Sequence, residues 1–96
     1  MNTLEELFAQ YERDKHALDL INLYLDYIGN YHDIRKRLVE AGEPVDSKAF
    51  HLMDEQKDAF KNLWLSVVED IKIEDLSTDV GLRFFRLRHD VKFNDK

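Results

Sequence analysis

Apolar residues recur in alternating steps of three and four from the start of the chain: Leu4, Leu7, Tyr11, Leu18, Ile21, Leu25 and Ile28. That spacing predicts a long amphipathic helix carrying a heptad-like seam about seven turns long, broken once by Asp14. Thr3-Leu4-Glu5-Glu6 reads as a capping box, the Thr hydroxyl accepting from the third helical N–H while Glu6 reaches back. Further on, Ala17, Leu20, Tyr24, Tyr27 and Tyr31 add a second apolar row and leave Asp19, Asn22, Asp26 and Asn30 as one narrow wet stripe. This half is expected to be central, touching partners on more than one side.

Gly29-Asn30 reads as a helix end, with Tyr31, Ile34 and Leu38 lining a short helix that stops at Ala41-Gly42, ahead of Pro44. Phe50, Met53, Phe60, Trp64, Val67 and Ile71 then repeat the alternating steps, with Lys57 in the break position. They predict a helix over 47–72, capped by Asp46 or Ser47, with a candidate kink near Asp54. Asp14 and Lys57 could pair in the core. The preferred reading places each where the helices splay apart, because buried ion pairs seldom overcome their desolvation cost.

The stretch LRFFRLRHDVKF, residues 82–93, fits two periods. Val80, Phe84, Leu87 and Val91 match a helix; Phe85, Leu87, His89, Val91 and Phe93 match a strand. Alternation is the cleaner local fit, but a lone strand needs a ladder partner, and only IKIEDL at 71–76 lies near. A helix is therefore adopted, with a strand as the alternative. The expected fold is all-α and a single domain over 1–96. It has two long antiparallel helices, a short connecting helix and a C-terminal fourth element. One Pro and three Gly agree with a chain of few turns.

Charge narrows the functions. The net charge is −6, yet residues 83–96 sum to +3 and the remainder to −9. General affinity for nucleic acid is disfavoured, because such binding rests on neutralising phosphates. No cysteine is present, which excludes a disulfide framework, a thiolate metal site and a thiol nucleophile. No apolar run approaches the ~20 residues that span a bilayer. The first ten residues lack the pattern of a secretory signal. A soluble, cytoplasmic protein is expected.

Four constellations could carry chemistry or recognition. Glu12 with His16, and His51 with Glu55, place imidazole and carboxylate one turn apart on two helices, as in carboxylate di-metal bundles. The spacing of those bundles is missing, so these are read as solvent-facing histidines and no metal or cofactor is expected. Arg83 and His89 resemble the Arg-x4–6-His motif of the HEPN ribonucleases, although no polar residue follows Arg83. That resemblance implies a helical bundle cleaving RNA, His89 exchanging protons and Arg83 steadying the phosphorane charge, commonly across a dimer. Residues 31–53 look like a helix-turn-helix, with Gly42 in the turn and Arg35, Lys36 and Arg37 near phosphates. Against DNA reading, the second helix offers Lys48 and His51 but then Asp54, Glu55 and Asp58.

The fourth is the aromatic excess. Tyr24, Tyr27 and Tyr31 form a row one turn apart, and Tyr and Trp64 are side chains favoured where a partner half-buries a surface. The row either closes the bundle or offers a protein-binding face that Arg83 and Arg86 would join; Arg83, Arg86 and Arg88 are expected to lie against or near the acidic stripes of the first and third helices. The expectation is a small acidic, non-enzymatic interaction module: an adaptor, inhibitor or regulatory subunit that binds another protein or itself as a homodimer. By composition it is like phage or mobile-element regulators. The DNA-binding and ribonuclease readings are the alternatives.

Overall fold

Thr3 opens the first helix in the manner its neighbours dictate. Its hydroxyl accepts from the Glu6 amide at 3.2 Å while its own amide donates to the Glu6 carboxylate at 3.3 Å. From there α1 runs unbroken over Leu4–Glu40, 37 residues or about 55 Å, in a computed structural model that describes residues 3–94.

The expected helix end at Gly29-Asn30 and the separate short helix after it are both corrected by this continuity. Gly29 has ordinary helical backbone, and a Cβ there would meet nothing within 4 Å. A helix-interior Gly costs only about 1 kcal/mol. Packing on both sides outweighs that cost: Tyr27 stacks on Phe60 with centroids 4.0 Å apart, and Tyr31 hydrogen-bonds Asp54. Both partners lie on the same facing helix.

The true stop is Gly42, whose φ of +87° is open to glycine and strained for other residues. Its amide donates to Val39 and that of Glu43 to Leu38, each at 3.0 Å, the double closure of a Schellman motif. Ser47, rather than Asp46, caps α2 by accepting from the Phe50 amide at 3.4 Å. Helix α2 spans Lys48–Val68, passes through Asp54 without a break, and ends four residues short of the expected 72.

The two helices form an antiparallel hairpin whose register is set by aromatic contacts. The Arg35 guanidinium lies over Phe50, Tyr31 meets Asp54, Tyr24 and Tyr27 meet Phe60, and the Trp64 indole reaches Leu20. This register keeps Asp14 and Lys57 apart. The Lys57 ammonium lies 5.0 Å from the Tyr31 ring centroid, a level about 25 Å along α1 from Asp14.

Past α2, a 3-10 turn at Ile73–Asp75 leads into α3, Thr78–His89, which continues as a π-helical turn over Asp90–Asn94. The strand alternative is thereby corrected: no strand occurs among the described residues. The helical phase is the buried one, with Phe84 and Val91 in the core, while Phe85, His89 and Phe93 of the strand phase are exposed. A strand here would have lacked a ladder, since 73–75 coils into the 3-10 turn instead.

Helix α3 closes the open end of the hairpin and is tied at both of its ends. At its start, the Ser77 amide donates to Asp14 of α1 at 3.0 Å. At its far end, the Arg88 guanidinium donates to the carbonyls of Val68 and Ile71 where α2 finishes, at 3.4 and 3.1 Å. Gly81 makes the close approach possible, because a Cβ there would sit 3.3 Å from Ile73 Cγ2. Ala17, Ile21 and Tyr24 from α1, Trp64 and Val68 from α2, and Phe84 and Val91 from the last segment form one buried cluster. The molecule is a rod, 61 × 21 × 16 Å, with its three-layered core toward one end.

Candidate functional site

A row of residues seven apart drifts around a straight helix by about 20° per heptad, because 3.6 residues per turn do not divide seven. The seam of α1 obeys this. Of its later members Ile21 and Ile28 face the hairpin core while Leu25 between them is half-exposed, and its early members have rotated away from the core. Leu4, Leu7, Phe8 and Tyr11 consequently line one open apolar face, with 68, 53, 61 and 63% of their surface exposed. Helix α2 stops at Val68 and does not reach this level. Glu5 and Glu12, both exposed, each lie one turn from Phe8 and give the face an acidic edge.

A second apolar face lies on the outside of α3. Leu82 and Phe85 are half-exposed and Phe93 is 62% exposed. His89 joins the row, its ring 6.1 Å from Phe85 and 4.9 Å from Phe93. Arg86 falls one turn from both Leu82 and His89, with Arg83 one turn before it, and both arginines are exposed. Between this row and the end of α2 runs an open groove of about 530 Å³, with Leu65, Ser66 and Glu69 as its far wall. Asp95 and Lys96, part of the same basic stretch of sequence, lie outside the described residues.

The aromatic row expected to bind a partner turns inward. Tyr24 and Trp64 are buried, 4.8 Å apart between ring centroids, and Tyr27 and Tyr31 are half-buried against α2. Of the six expected contact residues, Arg83 and Arg86 are the two on open surface. The three arginines of this segment do not share one acidic stripe: Arg88 turns inward to backbone carbonyls and lies over the Phe84 ring at 5.4 Å. The ion pairs Lys15–Asp19, Arg37–Asp33 and Lys36–Glu40 are all one-turn pairs within α1.

The catalytic pair of the ribonuclease resemblance is not brought together. Six residues of helix place Arg83 and His89 about 120° apart, and His89 lines the groove while Arg83 does not. The histidines His16 and His51 stand about 28 Å apart along the hairpin, judged from the Arg35–Phe50 level. No group of three or more metal-ligating side chains gathers among the described residues. Residues 31–53 form the closed end of an antiparallel hairpin, whereas the two helices of a helix-turn-helix cross at about 90–120°.

Two polar clusters have altered acidities. Partial burial pushes the Asp14 carboxyl up, but hydrogen bonds from Ser77 and Gln10 and the nearby Arg13 together hold it below its ordinary value. Tyr31 is raised, first by its hydrogen bond to Asp54, then by burial and the Asp54 charge. Both clusters tie elements together: Asp14 receives the start of α3, and Tyr31 and Lys57 join the two arms of the hairpin.

The open faces were hard to find from sequence because their residues belong to the same seam as the core. The length mismatch that exposes them, α1 beginning at Leu4 while α2 stops at Val68, shows only in the structure, since the sequence predicts a partner helix running on to 72. No helix among the described residues is long and apolar enough to cross a membrane. Compared with known proteins, the chain matches no family model, no curated protein and no solved structure.

Proposed function

We propose that this protein is a non-enzymatic interaction module, an adaptor, inhibitor or regulatory subunit that acts by docking onto protein. The observation that carries this reading is the open face of Leu4, Leu7, Phe8 and Tyr11 on α1. A contiguous apolar patch rimmed by charge is the usual mark of a protein-contact surface. The buried aromatics support the same reading indirectly. Tyr24 and Trp64 build a stable rod, and the rod presents the α1 face beyond the end of α2.

The test compares wild type with Leu7→Asp/Tyr11→Asp in chemical cross-linking within the native cell extract. Both positions are exposed, so the variant is expected to keep its helix content and melting temperature. Loss of the cross-linked species in the variant is the expected result. An unchanged cross-linking pattern would reject the α1 face as the contact surface.

A further inference from the structure

The hairpin has two broad sides, and α3 packs on one of them. Neighbouring residues of a helix lie about 100° apart, so Leu63 and Leu65 fall on opposite sides of the buried Trp64. Leu65 packs on the core and walls the groove beside Phe85 of α3, which leaves Leu63 on the side away from α3. Steps of three and four carry that side along α2 through Leu52, Gln56, Ala59, Leu63 and Val67. On α1, Leu23 stands nine residues and about 180° from the Asp14 that receives α3, so it too faces away from α3. The same steps link Leu23 to Tyr27, Asn30 and Ile34. The Arg35–Phe50 and Leu20–Trp64 contacts set Ile34 level with Leu52 and Leu23 level with Leu63. The two rows therefore adjoin in one face about 22 Å long. Leu23, Ile34, Leu52, Leu63 and Val67 all stand about half-exposed on it.

We infer that this face is a contact between two copies of the chain, hairpin against hairpin, each copy keeping its α3 on the outside. The arrangement is a four-helix layer of the kind that buries such stripes. It is separate from the α1 face of the proposed function and goes beyond that reading. Charge selects the occupant. Each copy carries −6, so two copies repel unless they meet where neither brings charge. In a chain that is 35% charged, neither row of this face holds a single Asp, Glu, Lys or Arg. An isologous contact sets a patch against itself, and an uncharged apolar patch meets its copy with no like charges opposed. Surface area gives the scale. The chain exposes 7315 Å², against about 5800 Å² for a monomeric globular protein of its mass. The excess of about 1500 Å² lies within the roughly 1000–2500 Å² that each copy of an obligate dimer buries.

Sedimentation equilibrium of the intact protein tests it. The wild type is expected to dimerise, and Leu23→Glu/Leu63→Glu to raise the dissociation constant at least about tenfold by placing charges in the contact. Both sites are half-exposed, so the variant is expected to fold, checked by circular dichroism and melting temperature. Leu82→Glu, an equally exposed leucine on the outside of α3, is expected to leave the dimer unchanged. Gln56→Glu and Gln56→Lys alter one exposed polar side chain and serve even where the double variant does not fold. Both are expected to weaken the dimer, because either charge is buried there; repulsion between whole acidic chains would instead make the Lys variant the tighter dimer.

A wild type that stays monomeric at the highest soluble concentration overturns the proposal. So does a dimer that Leu23→Glu/Leu63→Glu leaves intact, that Leu82→Glu weakens equally, or that Gln56→Lys strengthens. A monomeric wild type whose cross-links in cell extract vanish in Leu63→Glu also overturns it, and gives the face to a different protein. The α1 face is judged by Leu7 and Tyr11, so either surface can fail while the other stands.

Discussion

The indole N–H of Trp64 donates to the main-chain carbonyl of Leu20 over 2.8 Å, pinning α2 to the interior of α1. The same ring lies 4.8 Å from Tyr24 and 6.4 Å from Phe84, so one side chain touches an aromatic on each of the other helices. Trp64→Phe keeps the apolar volume but loses the donor. It is expected to cost about 1–2 kcal/mol, one hydrogen bond plus a small void. Trp64→Ala should cost about 3–5 kcal/mol. Urea unfolding followed by far-ultraviolet circular dichroism checks both, and equal stability of Trp64→Phe and wild type would contradict the role given to the N–H.

Gly29→Ala and Gly42→Ala are expected to act in opposite directions. At Gly29 the backbone is helical and the space beside it open, so Ala stabilises by about 0.5–1 kcal/mol. At Gly42 the left-handed backbone makes Ala destabilising by about 1–2 kcal/mol. A loss of stability at Gly29 would mean that α1 is interrupted there. Melting temperatures of the two variants decide it.

Asp14 accepts the Ser77 amide and so acts as a cap across the fold for the start of α3. Asp14→Ala should destabilise by about 1 kcal/mol, the usual cost of a lost cap. Because its folded acidity is depressed, the carboxylate's contribution is present above the unfolded value of ~3.9 and fades as pH falls through the folded value. The stability difference between wild type and Asp14→Asn should therefore shrink in that acidic window and stay constant at neutral pH. A difference that grew on acidification would reverse the sign argued here.

Tyr31 is raised chiefly by its hydrogen bond to Asp54, so its phenol should titrate above its ordinary value in a residue-resolved NMR titration. Asp54→Asn should bring it back toward that value. Its stabilising contribution is complete below the unfolded value of ~10 and is lost as pH rises through the folded one. A Tyr31 phenol that titrates alike in wild type and Asp54→Asn would show that the Tyr31–Asp54 contact does not persist in solution.

Several features were legible because they are local. The Thr3–Glu6 box, the α2 cap and the stop at Gly42 each depend on a few neighbouring residues; the box and the stop form as the sequence predicts, and Ser47 takes the cap left open between Asp46 and Ser47. Gly29 was misleading for the complementary reason: its cost is local and small, while the Tyr27 and Tyr31 contacts that override it come from α2. The site residues divide in the same way. Arg83 and Arg86 are open; of the aromatics, equally suited to a core or a surface by composition, Tyr24 and Trp64 are buried and Tyr27 and Tyr31 half-buried.

By itself the amino-acid order determined that the chain is helical, where α1 starts, that helix stops at Gly42, and that its charge is divided between an acidic body and a basic end. Periodicity, caps and glycine stereochemistry act over a handful of residues and need no distant partner. Only the tertiary structure decided which stretch of the α1 seam is buried, whether 82–93 coils or extends, and that Asp14 holds α3 rather than Lys57. Those outcomes depend on where α2 ends and on how far a seven-residue repeat rotates around a straight helix, so they follow from relative lengths and angles in three dimensions.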